Sequence, residues 1–146
     1  MDKNSTYNQL LIDLGLVLEG ETDPVARMAE TAAYIYERTG FFWVGFYRVC
    51  GDTLVLGPFQ GPPACLRIAR GKGVCGTAWE RAQTIVVPDV EEFPGHIACS
   101  SLSRSEIVVP LIRDGVVTAV LDIDSTEVGT FTGEDAVWLE KIAAIV

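Results

Sequence analysis

Two tight turns constrain this chain more than any other feature. Gly51-Asp52 and Asp114-Gly115 each join two runs of β-branched, aromatic and leucine residues, 41–50 to 53–59 and 106–112 to 116–123. A connection this short returns the chain on itself, so both pairs are antiparallel hairpins. A further strand is expected at 84–88 and a short helix at 74–81. Helical signals flank the β-rich middle. Leu10, Leu11, Leu14, Leu16 and Leu18 mark a first helix over about 4–18, interrupted by Gly15 and stopped at Gly20. Its leucines either face the domain's own sheet or form a homodimer contact. Asp23 caps a second helix, Pro24 occupies its first turn where a missing N–H costs nothing, and Gly40 ends it. Met28, Ala32, Ile35 and Tyr36 keep the helical period. Thr132-Gly133-Glu134-Asp135 is a capping-box signal for a last helix running to Val146. The order α-α-β-β-loop-β-loop-β-β-α predicts an α+β fold over 1–146 as one domain, an antiparallel sheet with helices packed on one face.

Composition narrows the function classes. Hydrophobic residues make up 49% and charged residues 21%, which excludes a disordered chain. Lys and Arg number 11 against 20 Asp and Glu, a net charge of −9. Such a chain is a poor nucleic-acid binder and a poor ligand for anionic membranes, because both depend on basic residues. No apolar run approaches the roughly 18 residues that cross a bilayer, and the polar start Met1-Asp2-Lys3-Asn4-Ser5 is not a signal peptide. A cytoplasmic location is expected, where Cys50, Cys65, Cys75 and Cys99 would be thiols instead of a structural disulfide frame.

The chemistry concentrates on two long loops, 60–74 and 89–105, which carry Cys65 and Cys99, with Cys75 just past the first. A lone cysteine is usually a small buried residue. Three thiols on or beside two loops favour redox chemistry, whereas Cys50 only ends a strand. No two cysteines are spaced as a zinc site requires. The single histidine, His96, has no nucleophile elbow to serve, and 71–77 is a glycine turn without the Walker ending. In Leu121-Asp122-Ile123-Asp124-Ser125, strand alternation sends Leu121 and Ile123 to the core and both carboxylates to the other face. A two-residue turn at Asp114-Gly115 would pair Ile107 with Asp122 and turn Glu106 to the core. A three-residue loop, Arg113-Asp114-Gly115, pairs Glu106 directly with Asp122 and sends Ile107, Val109 and Leu111 inward. The second register is expected, with Pro110 marking where a bulge would change the count. Three clustered carboxylates cannot all ionise easily, so such a site offers a proton donor and a seat for an ammonium group. Calcium is the rival use, but no EF-hand spacing supports it. Trp43, Gly45 and Tyr47 share a strand face, either as core or as an aromatic wall with Gly45 leaving room for a small apolar group.

Several ordered motifs together resemble the free methionine-(R)-sulfoxide reductases, which are GAF-domain enzymes. They are Trp43-Val-Gly-Phe-Tyr47, Leu56-Gly-Pro-Phe-Gln-Gly-Pro-Pro-Ala-Cys65, Gly73-Val-Cys-Gly-Thr77, Val87-Pro-Asp-Val90, Phe93-Pro-Gly-His-Ile-Ala-Cys99, Ser103-Arg-Ser-Glu-Ile-Val-Val-Pro110 and Leu121-Asp-Ile-Asp-Ser125. The likeness runs from about Trp43 to Ser125. It implies reduction of free L-methionine (R)-S-oxide through a cysteine sulfenic acid and a disulfide, with thioredoxin as reductant; nothing in the sequence suggests a metal or organic cofactor. The resemblance implies Cys99 as attacking thiol and Cys65 as resolving thiol; Cys75 matches the family's third cysteine and is kept as an alternate resolving thiol. Glu106, Asp122 and Asp124 match the family's carboxylate cluster, and Trp43 and Tyr47 the wall around the substrate methyl group. Local physics alone favours Cys75 as the thiolate, because it lies near a helix N-terminus; the motif favours Cys99. His96 either assists the thiol or bonds to backbone. The alternative is a GAF small-ligand or redox-sensing module without catalysis, which would need a pocket but no resolving thiol.

Overall fold

A computed structural model describes residues 2–146. Its helices are α1 (Lys3–Val17), α2 (Pro24–Thr39), α3 (Gly73–Arg81) and α4 (Gly133–Ile145). Its strands are β1 (Trp43–Cys50), β2 (Thr53–Gln60), β3 (Arg67–Ala69), β4 (Ile85–Val87), β5 (Ser105–Arg113) and β6 (Val116–Ser125). The strands form one antiparallel sheet in the order β3-β2-β1-β6-β5-β4. Both expected hairpins are present. β3 lies within the stretch expected as loop: Ile68 is buried and pairs with Leu54 of β2.

The register of the β5–β6 hairpin departs from expectation. Asp114 and Gly115 both have positive φ, 53° and 77°, and Arg113 pairs with Val116. This is a two-residue turn, whose backbone twist matches that of the strands it joins, not the three-residue loop. The register then shifts between Leu111 and Ile112, because Thr118 is an extra residue on β6. Beyond this bulge Glu106 pairs with Asp124, and Val108 with Asp122, so Glu106 and Asp122 are not direct partners. The faces still come out as expected, since the bulge restores the parity that the shorter turn removes.

Three helices cover one face. Leu10 and Leu14 of α1, Ile35 of α2 and Leu139 of α4 meet Val44, Phe46, Ile107 and Leu121 in one buried cluster. Leu16 is the one exposed leucine of α1, with Ile12 and Val17 exposed near it, and Leu18 just past the helix is buried. α3 lies on the opposite face with the two loops, where Val74, Cys75 and Trp79 pack against Tyr47, Val108 and Val120. It can approach closely because residue 76 is glycine: a Cβ there would stand 2.4 Å from the Ala69 carbonyl oxygen. Among the described residues no helix is long and apolar enough to cross a membrane.

The capping box of α4 also ties the helical layer together. Fully buried Asp135 accepts hydrogen bonds from Tyr7 Oη and Lys3 Nζ, both at 2.7 Å, and from the Thr132 amide at 2.9 Å. Asp135→Ala strips partners from a buried hydroxyl and a helix cap. We expect a loss of about 3 kcal/mol, read as a lower urea midpoint; an unchanged midpoint would show that water replaces these bonds.

Candidate active site

The face opposite α1, α2 and α4 gathers the polar residues of three neighbouring strands. Across β1 and β6, Trp43 pairs with Asp124 and Gly45 with Asp122; across β5 and β6, Glu106 pairs with Asp124. Alternation therefore turns Trp43, Tyr47, Glu106, Asp122 and Asp124 to one side. Glu106 and Asp122 are each 6% exposed. Among the described residues no Lys or Arg forms an ion pair with any of the three carboxylates. Asp122 Oδ1 is buried without a hydrogen-bond partner.

Burial without compensation sets the protonation of the site. Glu106 is pushed up to about 8, chiefly by burial and then by the charge of Asp124. Asp122 is raised well above the carboxylate range by burial and by Glu106. Asp124 is raised by burial and by Asp122, with Ser103 pulling the other way. His96 Nε2 stands 3.6 Å from Glu106 Oε1. Burial lowers the imidazole's pKa while Asp122 draws it up, so near neutrality a mostly neutral ring faces a carboxyl that keeps its proton.

Cys75 is not the activated thiol that its place near a helix N-terminus suggests. It is buried in α3, and burial together with Asp122, Glu106 and Asp124 raises its thiol well above the usual value. Desolvation and three nearby acids outweigh the half-charge of a nine-residue helix. Cys75, Glu106 and Asp122 bring donor atoms within 4.8 Å of one another, and among the described residues this is the group that could hold a metal ion. A cation of either kind, metal or ammonium, would satisfy the orphaned carboxylate oxygen.

The other wall is sulfur and aromatic. Cys65 and Cys99 are joined in a disulfide that links the two long loops. Tyr47 Oη donates to the Cys65 carbonyl at 2.9 Å, and Trp43 Nε1 to the Pro62 carbonyl at 3.0 Å. The Trp43 ring stacks between Phe59 and Tyr47, with centroids at 5.3 and 6.0 Å. Gly45 does not leave room for a ligand. A Cβ there would meet the Trp43 ring at 2.5 Å and Phe59 Cβ at 2.4 Å, so the indole itself fills the space. Between these walls lies a narrow recess that opens to solvent. Trp43, Tyr47, Cys75, Cys99, Glu106, Asp122 and Asp124 all line it, as does His96; Cys65 is bonded to Cys99 at its edge.

The GAF domain family model matches residues 23–146. "GAF domain-containing protein A" of Dictyostelium discoideum is 50% identical over 145 residues, 99% of this chain and 92% of that protein. The free methionine-R-sulfoxide reductase of Escherichia coli (strain K12) is also 50% identical over 145 residues, 99% of this chain and 88% of the enzyme. A crystal structure of free methionine-R-sulfoxide reductase from Neisseria meningitidis, in complex with its substrate, superposes with a TM-score of 0.97 at 53% identity. It spans 99% of this chain and 88% of that one. The chain belongs to the GAF-domain family of free methionine-R-sulfoxide reductases.

In this free methionine-R-sulfoxide reductase the recess extends beyond the residues that the motifs point to. Phe42, Ile68, Lys72, Ile97 and Ser103 also line the recess and were not singled out. Ser103 was within reach of inspection, because it stands three residues before Glu106 in the same motif. The others depend on how the loops fold over the sheet. The tight fit at Gly45 carries a prediction. Gly45→Ala overpacks the Trp43–Phe59 stack and is expected to cost about 1–3 kcal/mol, seen as a lower thermal midpoint. An unshifted midpoint would mean that the indole moves aside freely.

Proposed function

We propose that this chain reduces free L-methionine (R)-S-oxide to L-methionine, with Cys99 as nucleophile, Cys65 as resolving thiol and thioredoxin as the recycling dithiol. One observation carries the reading: a disulfide between the two loop cysteines borders a recess whose floor holds the buried carboxyls of Glu106 and Asp122 beside half-buried Asp124, none of them paired with a Lys or Arg among the described residues. A free amino acid brings the missing ammonium group. Its attraction to the carboxylates grows with their desolvation, and a methionine inside a peptide has no such group to offer.

The reaction needs a nucleophile and a proton. The Cys99 thiolate attacks the sulfoxide sulfur while the departing oxygen takes a proton. Cys99 becomes a sulfenic acid and methionine is released. Cys65 then attacks the Cys99 sulfur, water leaves, and the disulfide forms. Glu106 and Asp122 titrate as a coupled pair; the pair gives the proton, and the remaining negative charge with Asp124 holds the ammonium. His96 faces Glu106 and passes a proton to it between turnovers. Trp43 and Tyr47 enclose the methyl group, and their hydrogen bonds to the 60–74 loop keep the wall attached to Cys65. Cys75 is a reserve thiol at the floor. The reducing cytoplasm suits a catalyst whose resting thiols must survive. The whole 1–146 segment acts as one domain, since α1 contributes Leu10 and Leu14 to the shared core.

The test is NADPH oxidation coupled through thioredoxin, with resolved free R- and S-sulfoxides and with N-acetylmethionine sulfoxide. Turnover is expected on the free R isomer alone. If neither isomer turns over, with dithiothreitol also failing as reductant, the enzyme reading is wrong and a ligand-binding GAF module remains.

A further inference from the structure

We propose that the rim around the Cys65–Cys99 disulfide is the docking surface for a dithiol reductase, and that Leu66, Ile97 and Leu102 are its apolar anchors. The proposal rests on the reductase reading and adds to it where the reducing protein sits. The partner it fits has a vicinal dithiol set in an apolar face with an acidic border.

The anchors are placed by the chain itself. Leu66 follows Cys65, while Ile97 and Leu102 flank Cys99 at two and three residues. The Cα atoms of the bonded cysteines are 5.3 Å apart. Chain reach therefore holds all three anchors within roughly 11 Å of one or the other cysteine. All three are exposed: Leu66 by 72%, Leu102 by 59% and Ile97 by 38%. Single exposed leucines are ordinary, but these three lie within chain reach of a bond that must be opened by contact. A mixed disulfide forms only when a partner sulfur touches one of these sulfurs, so the partner's surface must cover the same rim.

Cys99 lines the substrate recess and Cys65 does not, which leaves Cys65 as the sulfur for the partner to attack. Its backbone is held from two sides, by Tyr47 Oη on the Cys65 carbonyl at 2.9 Å and by the Leu56 amide on the Leu66 carbonyl at 3.0 Å. Leu66 is thus exposed on a fixed strap, a preorganised anchor that loses little freedom on binding. Charge agrees. Residues 53–79 hold Arg67, Arg70 and Lys72 and no Asp or Glu, in a chain of net charge −9. This basic stretch steers an acidic border toward the Cys65 side and favours an incoming thiolate.

The step balances. The partner's thiolate attacks Cys65 Sγ and an inter-protein disulfide forms. The Cys65–Cys99 bond breaks, and Cys99 leaves as a thiolate that takes up a proton. The partner's second thiol then displaces Cys65 and the partner leaves oxidised, having given two electrons.

The experiment reads disulfide opening directly and so does not depend on substrate. Oxidised protein is mixed with reduced thioredoxin, and released thiols are counted by quenched-flow alkylation. Leu66→Asp with Leu102→Asp is expected to slow reduction by thioredoxin at least about tenfold, with reduction by dithiothreitol within about twofold of wild type. Higher salt is expected to slow the wild-type reaction with thioredoxin severalfold. The proposal is overturned if the double variant reacts with thioredoxin as fast as wild type, if it is slowed equally toward dithiothreitol, or if salt has no effect. Steady-state turnover of the sulfoxide with dithiothreitol, measured in parallel, tests the reductase reading by itself. Its absence would sink that reading, while the thiol counts still decide the docking surface.

Discussion

Cys99→Ser is expected to lower turnover of free methionine-(R)-sulfoxide by at least about 10³-fold, because a hydroxyl at this position neither attacks sulfur at neutral pH nor carries the oxygen away. Substrate affinity should persist, since the carboxylates and the aromatic wall are untouched. Cys65→Ser should behave differently. It is expected to release about one methionine per site in a burst and then stall, with a sulfenic acid at Cys99 that dimedone traps. The contrast separates attack from resolution. Steady turnover by Cys65→Ser would assign resolution to Cys75, and substantial turnover by Cys99→Ser would move the nucleophile elsewhere. The burst is read with no added reductant and steady turnover with thioredoxin, because dithiothreitol would itself reduce the Cys99 sulfenic acid of Cys65→Ser and hide the stall.

The carboxylates give the second large effect, and it has opposite signs for activity and stability. Glu106→Gln removes a proton donor and part of the ammonium site, and kcat/KM is expected to fall by about 10²–10³-fold. Wild-type kcat should itself decline as pH rises through about 8, where Glu106 loses its proton. Stability follows from the same shift. The folded protein holds the Glu106 proton up to about 8, whereas an unfolded glutamate releases it near 4.5. Between those values the native state binds more protons than the unfolded state, so stability is lost as pH rises through that window. Urea denaturation at about pH 5, 7 and 9 should show the wild type weakening and Glu106→Gln weakening less. The variant should be the more stable of the two at the highest pH and nearly inactive at all of them. A wild type that gains stability with pH would mean that the carboxylates are compensated by charges in the folded state.

Much of this was legible in the residues. The Asp23, Pro24 and Gly40 signals bounded α2, and hairpin signals fixed the antiparallel pairs, because these are local effects with few competitors. Three points were not legible, each for a non-local reason. β3 has only three residues and is a strand because β2 offers it an edge. Gly45 suggests an opening in one dimension, and only the fold shows Trp43 lying across it. Cys75 looks reactive by its helix position, and becomes a poor thiolate once distant Glu106 and Asp122 are brought beside it. For the site, motif resemblance chose the residues, and the fold supplied their burial and their distances.

Thr118 gives the β5–β6 hairpin a consequence for its evolution. The two-residue turn alone would have paired Ile107 with Asp122 and sent Glu106 into the hydrocarbon layer beneath α4; the extra residue on β6 undoes this. Loss of one residue from this hairpin, or gain of one, therefore swaps the acid-bearing side of β5 for its greasy side in a single step. Lineages descended from such a chain should tolerate length changes here only in compensated pairs, a constraint on insertions and deletions that no comparison of residue types alone would reveal.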